Sequence, residues 1–138
     1  MEDIRLSATV LEEILAARRR RLDEARARVP LRDLERAVKA RVDSHDFAGA
    51  ISSAGLGVIA ELKQASPSRG VLRKDYQPAA IARGYEAAGA AALSVLTEED
   101  YFQGSLEHLR AVRQASELPI LRTEFIFDEY QVYESAAA

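Results

Sequence analysis

The sequence contains no cysteine and only two histidines, His45 and His108. The absence of cysteine excludes disulfide bonds, thiolate chemistry and cysteine-ligated zinc or iron–sulfur sites, and two histidines disfavour a histidine-rich metal site. No apolar run approaches the roughly 18 residues that a membrane-spanning helix needs. The acidic N-terminal segment also lacks the basic-then-apolar order of a signal peptide. We therefore expect a cytoplasmic protein that does not act at a membrane.

A strong excess of charge of either sign is also missing. Nineteen basic and 22 acidic residues give a net charge of −3, so the composition does not favour a general affinity for nucleic acid or for an anionic membrane. One basic run of four arginines occupies residues 18–21. Successive residues of a helix point in different directions, and acidic residues flank this run. We interpret it as a solvated helix face rather than a nucleic-acid patch.

The spacing of apolar residues divides the chain in two. Residues 1–56 are predicted to form a helical extension, with helices over about 10–28 and 31–41 and a short helical turn in the connector that follows. From residue 57 onward, short apolar strands alternate with helices. The strands are predicted near residues 58–62, 91–96 and 120–123. This order predicts a parallel sheet with right-handed crossovers, either an open doubly wound sheet or part of a closed (β/α)8 barrel.

The loops that follow the first two strands are unusually long. They cover residues 64–77 and 97–104, whereas such connections usually have about 2–6 residues. Long loops at this edge of the sheet build active sites in both architectures. Ser105 is predicted to cap the helix that follows the second loop. No GxGxxG or GxxxxGK[ST] motif follows a strand, which weakens the two common nucleotide-binding alternatives.

The first predicted strand carries two charged residues, Glu61 and Lys63, close to its carboxyl end. Alternate side chains of a strand share a face, so both residues point the same way. Burial of an acid and an ammonium is costly unless the two are paired or used. From these residues alone, a structural salt bridge and a catalytic pair remain open alternatives.

Four segments together resemble a known enzyme family. They are VIAELKQASPSRG (58–70), YEAAGAAALSVLTEEDYFQGS (85–105), LPILRTEF (118–125) and DEYQVYESAAA (128–138). They resemble indole-3-glycerol phosphate synthase, a (β/α)8-barrel carboxy-lyase of tryptophan biosynthesis. The resemblance implies an α/β fold, an incomplete TIM barrel in which the first three βα units (57–138) follow an N-terminal helical extension (1–56).

The resemblance also implies a reaction. The family closes the ring of 1-(2-carboxyphenylamino)-1-deoxyribulose 5-phosphate, with loss of carbon dioxide and water, to give indole-3-glycerol phosphate. Ring closure needs an acid that protonates the substrate carbonyl, and later loss of hydroxide needs acid–base help again. A cation must hold the anionic substrate, and an apolar wall must hold its aromatic ring in a near-attack geometry. No metal or organic cofactor is implied.

The resemblance assigns roles residue by residue. Glu61 would belong to the polar acid–base network, and Lys63 would contact the anionic groups of the substrate. Ser66 matches the serine of a lid over the substrate. Further substrate-binding positions implied are Ser94, Leu96, Phe102, Leu121 and Phe125. Without the resemblance, the two phenylalanines would be interpreted as ordinary core residues.

Two features depart from the family pattern. Thr123 stands where the family's third strand carries its general-acid lysine, and Glu124 replaces an aspartate. A threonine hydroxyl carries no charge and is a very poor acid, while Arg122 is predicted to point to the opposite face and donates protons poorly. Lys63 is then the remaining candidate acid. The chain also stops within the third barrel helix, whereas a barrel typically needs about 200–250 residues or more.

We therefore expect strands four to eight to be missing and the chain alone to be inactive. The favoured hypothesis is the N-terminal part of an indole-3-glycerol phosphate synthase, whose partner would be the missing C-terminal half-barrel. A second hypothesis is a non-catalytic half-barrel that serves as an assembly or binding module, motivated by Thr123. A third is another phosphosugar-handling barrel, such as an isomerase or aldolase, but the retention of Glu61 and Lys63 argues against it.

Overall fold

The structure, a computed structural model, describes residues 2–53 and 55–138, with side chains from residue 10 onward. The helices are α1 (Glu2–Arg28), α2 (Leu31–Ala40), α3 (Phe47–Ile51), α4 (Pro78–Ala87), α5 (Leu106–Ala115) and α6 (Glu129–Ala137). The strands are β1 (Ile59–Leu62), β2 (Ala65–Ser66), β3 (Gly70–Val71), β4 (Ala92–Leu96) and β5 (Ile120–Thr123). Among the described residues, no helix combines the length and the apolar character needed to cross a bilayer.

The chain divides into two compact units. The first contains the described residues up to Arg41 together with Phe125–Ala137, and the second contains Val42–Glu124 and Ala138. The domain boundary at residue 56 stays a prediction. The predicted start of the first helix near Val10 is wrong, because α1 already begins at Glu2. Residues 2–9 contain neither proline nor glycine that would interrupt a helix.

In the first unit, α6 is fixed by polar contacts around its start. The Tyr130 N–H donates to Asp128 Oδ1 over 2.8 Å, so Asp128 caps the helix, and this bond lowers the pKa of the Asp128 carboxyl. Arg26 of α1 forms an ion pair with the same carboxylate. The buried Tyr130 hydroxyl donates to the carbonyl of Val29 over 2.9 Å. These contacts join α6 to α1 and to the turn that follows it.

The arginine run of α1 is not a uniform surface. Arg19 and Arg20 are exposed, as a solvated face requires, but Arg18 is only 6% exposed. The interpretation of the whole run as solvated is therefore wrong for Arg18. The guanidinium of Arg19 lies 5.9 Å from the ring centre of Phe127 within the same unit. Helical geometry turns these residues toward different surroundings, so the run does not form one continuous basic patch.

The second unit is built on a three-stranded parallel sheet in the order β1–β4–β5. This confirms the predicted parallel α/β arrangement. One face of the sheet packs against α4 and α5. Its core residues are Leu62, Leu93 and Val95 from the strands, with Ala82, Leu109 and Val112 from the helices. Residues at alternate strand positions lie on the opposite face, where the candidate site is found.

Ser105 caps α5 as predicted. Its backbone is extended, and its hydroxyl accepts a hydrogen bond from the His108 N–H at 3.1 Å. We expect Ser105→Ala to lower the free energy of unfolding by about 1 kcal/mol, because one backbone donor of the first turn loses its partner. Urea unfolding measures this change, with Ser105→Asp as the control that keeps a cap. Equal unfolding midpoints for the alanine variant and the unchanged protein would contradict the prediction.

Candidate active site

Five predicted site residues share one face of the sheet. The parallel register aligns Glu61 with Ser94 and Ser94 with Leu121, which forms one row across three strands. It aligns Leu96 with Thr123 in a second row nearer the carboxyl ends of the strands. Partners in a parallel ladder point to the same side, so the strands bring these side chains together. We call this set, with Lys63, the site face.

Lys63 lies one residue beyond β1 and contacts Glu61. The distance from Lys63 Nζ to Glu61 Oε1 is 2.9 Å, and the two side chains are 35% and 42% exposed. An ion pair this exposed typically contributes about 0–1 kcal/mol to stability. The ion pair therefore contributes little to the stability of the fold, and both charged groups remain accessible to a ligand. The backbone carbonyl of Glu61 also accepts a hydrogen bond from the Tyr85 hydroxyl at 3.3 Å.

Thr123, at the position where the resemblance places a general-acid lysine, forms a hydroxyl pair with Ser94. Thr123 Oγ1 and Ser94 Oγ are 2.6 Å apart, and either can be the donor. Ser94 is 5% exposed, so its end of this hydrogen bond is shielded from solvent. A neutral hydroxyl pair can orient a ligand by hydrogen bonding, but it cannot deliver a proton as an ammonium group does.

A second polar group lies at the carboxyl ends of β4 and β5, on the side opposite Thr123. The register aligns Arg122 with Val95, which confirms that Arg122 points away from the site face. Arg122 Nε donates to Thr97 Oγ1 at 2.9 Å, and Thr97 Oγ1 donates to Glu124 Oε2 at 3.0 Å. The side chains of Arg122 and Glu124 are 5% and 0% exposed and lie 3.6 Å apart. Sequence reasoning missed this group, although strand alternation already places Arg122 and Glu124 on one side.

The loop between β4 and α5 holds Phe102, which is half-buried. The carboxylate of Glu98 accepts hydrogen bonds from the N–H groups of Asp100, Tyr101 and Phe102 at 3.1, 2.7 and 3.0 Å. The Glu98 carbonyl accepts a further one from the Gly104 N–H at 2.7 Å. Sequence reasoning did not identify Glu98, and the cluster of acids at 98–100 gave no signal that one of them is buried.

Ser66 lies in a short hairpin rather than in an irregular loop. Strands β2 and β3 pair antiparallel, with Ser66 opposite Gly70. The Ser66 hydroxyl is nearly buried and accepts a hydrogen bond from the Arg69 N–H at 3.3 Å. Its described hydrogen bond therefore serves the turn of this hairpin. The role of Ser66 in a lid stays a prediction.

The end of the same loop is anchored by two aromatic rings. The rings of Tyr76 and His108 meet edge to face, with centres 5.1 Å apart. Burial, with a smaller contribution from Tyr85, raises the pKa of Tyr76 to about 12. Burial lowers the pKa of His108, so the neutral imidazole is favoured in this contact. The loop after β1 is thus tied to α5 behind the sheet.

Phe125 belongs to the first unit, directly after β5. It is half-buried, and its carbonyl accepts a hydrogen bond from Gln131 Nε2 at 2.9 Å. Its contact with a substrate ring stays a prediction. Within the described part of the chain, no group of three or more His, Cys, Asp or Glu side chains has an arrangement that could hold a metal ion.

Comparison with known proteins gives a consistent result. The family model for indole-3-glycerol phosphate synthase matches residues 11–138. Curated proteins named indole-3-glycerol phosphate synthase are 52% identical in Laribacter hongkongensis (132 residues; 93% of this chain, 50% of the relative), and 47% identical in Polaromonas naphthalenivorans (130 residues; 91% and 49%). A third, from an Azoarcus species, is 49% identical over 132 residues (93% and 50%).

The chain spans about half the length of the curated relatives it matches. The matched region nevertheless includes every strand of the parallel sheet and all six residues of the site face. Because the match extends over nearly the whole chain, this protein belongs to the indole-3-glycerol phosphate synthase family.

Proposed function

We propose that this chain provides the first three βα units of a (β/α)8 barrel that converts 1-(2-carboxyphenylamino)-1-deoxyribulose 5-phosphate into indole-3-glycerol phosphate. The remaining strands come from sequence outside these 138 residues, in the same chain or in a second one. Since the reaction belongs to tryptophan biosynthesis, we also propose a cytoplasmic location. We expect these 138 residues to be active only together with those strands.

The observation that carries the proposal is the accessible pair of Glu61 and Lys63 on the site face. The pair lies at the carboxyl end of a parallel strand, where barrel enzymes hold their reacting groups. The Lys63 ammonium suits the carboxylate or phosphate of the substrate, and the Glu61 carboxylate suits proton transfer during ring closure. Leu121, which is 49% exposed on the same face, contributes apolar surface of the kind that an anthranilate ring requires.

The open surface of the sheet supports the partner in this proposal. Ile59 and Leu121, which share the face opposite the helices, are 43% and 49% exposed. The interior of a barrel is filled by side chains from all of its strands. Further strands would bury these two residues and extend the sheet from the free edges of β1 and β5. A C-terminal half-barrel, on the same chain or on a second one, is therefore proposed to complete the sheet.

The proposal is tested by complementation in a tryptophan auxotroph that lacks the synthase. We expect the chain to support growth only when it is expressed beside a chain that provides strands four to eight of a related barrel. Lys63→Ala should abolish this growth, because the substrate then loses its cation. Lys39→Ala, which removes an exposed lysine of α2, is the matched control and should leave growth unchanged.

Growth that persists in the Lys63→Ala variant would contradict the assigned role of Lys63. The absence of growth in every combination, despite a soluble complex of the two halves, would favour the second candidate function, a non-catalytic assembly or binding module. The hydrogen bond between Thr123 and Ser94 favours that candidate, since a neutral pair fills the position where an acid is needed. Purification of the complex in the same strain separates failed assembly from failed chemistry.

A further inference from the structure

The proposed chemistry does not use Glu98, although this side chain is among the most deeply buried in the described part of the chain. Glu98 is 0% exposed and lies two residues beyond Leu96 of the site face. Burial of a carboxylate is unfavourable unless hydrogen bonds replace its lost hydration. The hydrogen-bond partners of the Glu98 carboxylate indicate the role of this buried side chain.

All three described partners of the carboxylate are backbone N–H groups of one short segment. Oε1 accepts from Asp100, whereas Oε2 accepts from Tyr101 and from Phe102. A carboxylate that accepts several N–H groups forms charge-assisted bonds, which are about twice as strong as neutral ones. One side chain thus fixes three successive residues, of which the last is Phe102.

The residues after Phe102 hold the same conformation from the other side. Gln103 adopts a positive φ of 53°, which is uncommon for a residue with a side chain. Gly104 passes so close to the end of β4 that a Cβ atom there would lie 2.4 Å from the carbonyl oxygen of Leu96. Because the backbone is fixed on both sides of Phe102, the direction of its Cα–Cβ bond can vary little.

We propose that Glu98 is a positioning residue that holds Phe102 in place as part of the apolar wall for the substrate ring. The inference rests on the proposed function for its substrate, but the link between Glu98 and Phe102 stands on geometry alone. Loss of the carboxylate would release the loop and weaken ring binding without removing Glu61 or Lys63. We therefore expect KM to rise about 10–100-fold in Glu98→Gln, as for a lost charge-assisted hydrogen bond, with kcat changed much less.

The first measurement uses the chain as it is. Phenylalanine is replaced throughout by 3-fluorophenylalanine, and the ¹⁹F resonance of Phe102 is assigned with Phe102→Leu. In Glu98→Gln this resonance should shift and broaden, and the amides of residues 100–102 should exchange with deuterium faster. Glu107→Gln is the matched control, since it removes an exposed carboxylate from the neighbouring helix and should leave the Phe102 resonance unchanged. An unchanged resonance in Glu98→Gln would overturn the proposal.

The second measurement determines KM and kcat for the chain combined with strands four to eight. A rise in KM with Glu98→Gln supports the role in ring binding, and an unchanged KM beside a shifted resonance overturns that role. If the unchanged protein shows no turnover while the resonance still shifts, the proposed function fails but the link to Phe102 holds. If Glu98→Gln does not fold, Glu98→Asp replaces it in both measurements. This variant keeps the charge on a shorter side chain, so the resonance shift and the rise in KM should be smaller than those expected for Glu98→Gln.

Discussion

Thr123→Lys is expected to raise kcat about 10²–10⁴-fold in the proposed enzyme formed with strands four to eight, which is the usual contribution of a positioned general acid. Thr123 shares a row of the site face with Leu96, so a lysine at this position would project toward the same surface as the Glu61–Lys63 pair. Its ammonium can protonate the substrate carbonyl, which the threonine hydroxyl cannot do near neutral pH. The formation of indole-3-glycerol phosphate from the open-chain substrate measures the gain.

Two variants serve as controls for this prediction. Thr123→Met fills a similar volume without a proton to donate, and it should not raise kcat. Arg122→Lys introduces the same ammonium on the opposite face of β5, where it should not help either. All three variants should be compared at equal occupancy of the complex, since loss of the hydrogen bond to Ser94 lowers stability by about 1 kcal/mol in Thr123→Met and Thr123→Lys. An unchanged kcat in Thr123→Lys would mean that another group, such as Lys63, already acts as the acid.

Glu124→Gln is expected to lower the free energy of unfolding by about 3–5 kcal/mol, because a buried guanidinium then loses the negative charge beside it. The side chains of Arg122 and Glu124 are almost completely buried, so water has little access to the guanidinium in the variant. Thr97 links the two residues, so the loss would extend to both strand ends. Chemical denaturation of the chain, followed by far-UV circular dichroism, measures the change.

The double variant Arg122→Met/Glu124→Leu provides the sharper comparison. Replacement of a buried ion pair by apolar residues of similar volume is often neutral or stabilising, so this variant should recover most of the stability that Glu124→Gln loses. Glu107→Gln, at an exposed ion pair of α5, should change stability by less than about 0.5 kcal/mol. A double variant as unstable as Glu124→Gln would show that packing, rather than the lost charge of Glu124, sets the effect.

The parallel sheet and the site face were predictable because both follow from a strand period of two. Alternation alone predicts that Ser94 and Leu96 share a face of their strand, as do Leu121 and Thr123. The observed register then aligns Ser94 with Leu121 and Leu96 with Thr123 across the two strands. The parallel direction of the strands was equally accessible, since short apolar runs separated by helices favour parallel neighbours. These properties depend on local sequence, which is why they could be predicted without a structure.

The features that were missed depend on the path of the backbone. The burial of Glu98 follows from a turn in which Gln103 has a positive φ and Gly104 passes over Leu96, and no residue pattern specifies that turn in advance. The contact of Arg122 with Thr97 links different strands, so it appears only when their ends are aligned. The start of α1 was also missed, because the helix begins at Glu2, eight residues before the predicted start near Val10.

The strand order also has a kinetic consequence. Each strand of the parallel sheet pairs with the next one along the chain, so every pairing closes a single helical crossover. Contacts between neighbouring segments form faster than contacts between distant ones, and a ribosome releases only about 5–20 residues per second. The sheet can therefore assemble in order of synthesis, with β1 and β4 paired before β5 emerges. Once β5 has joined, the described part of the parallel sheet is complete.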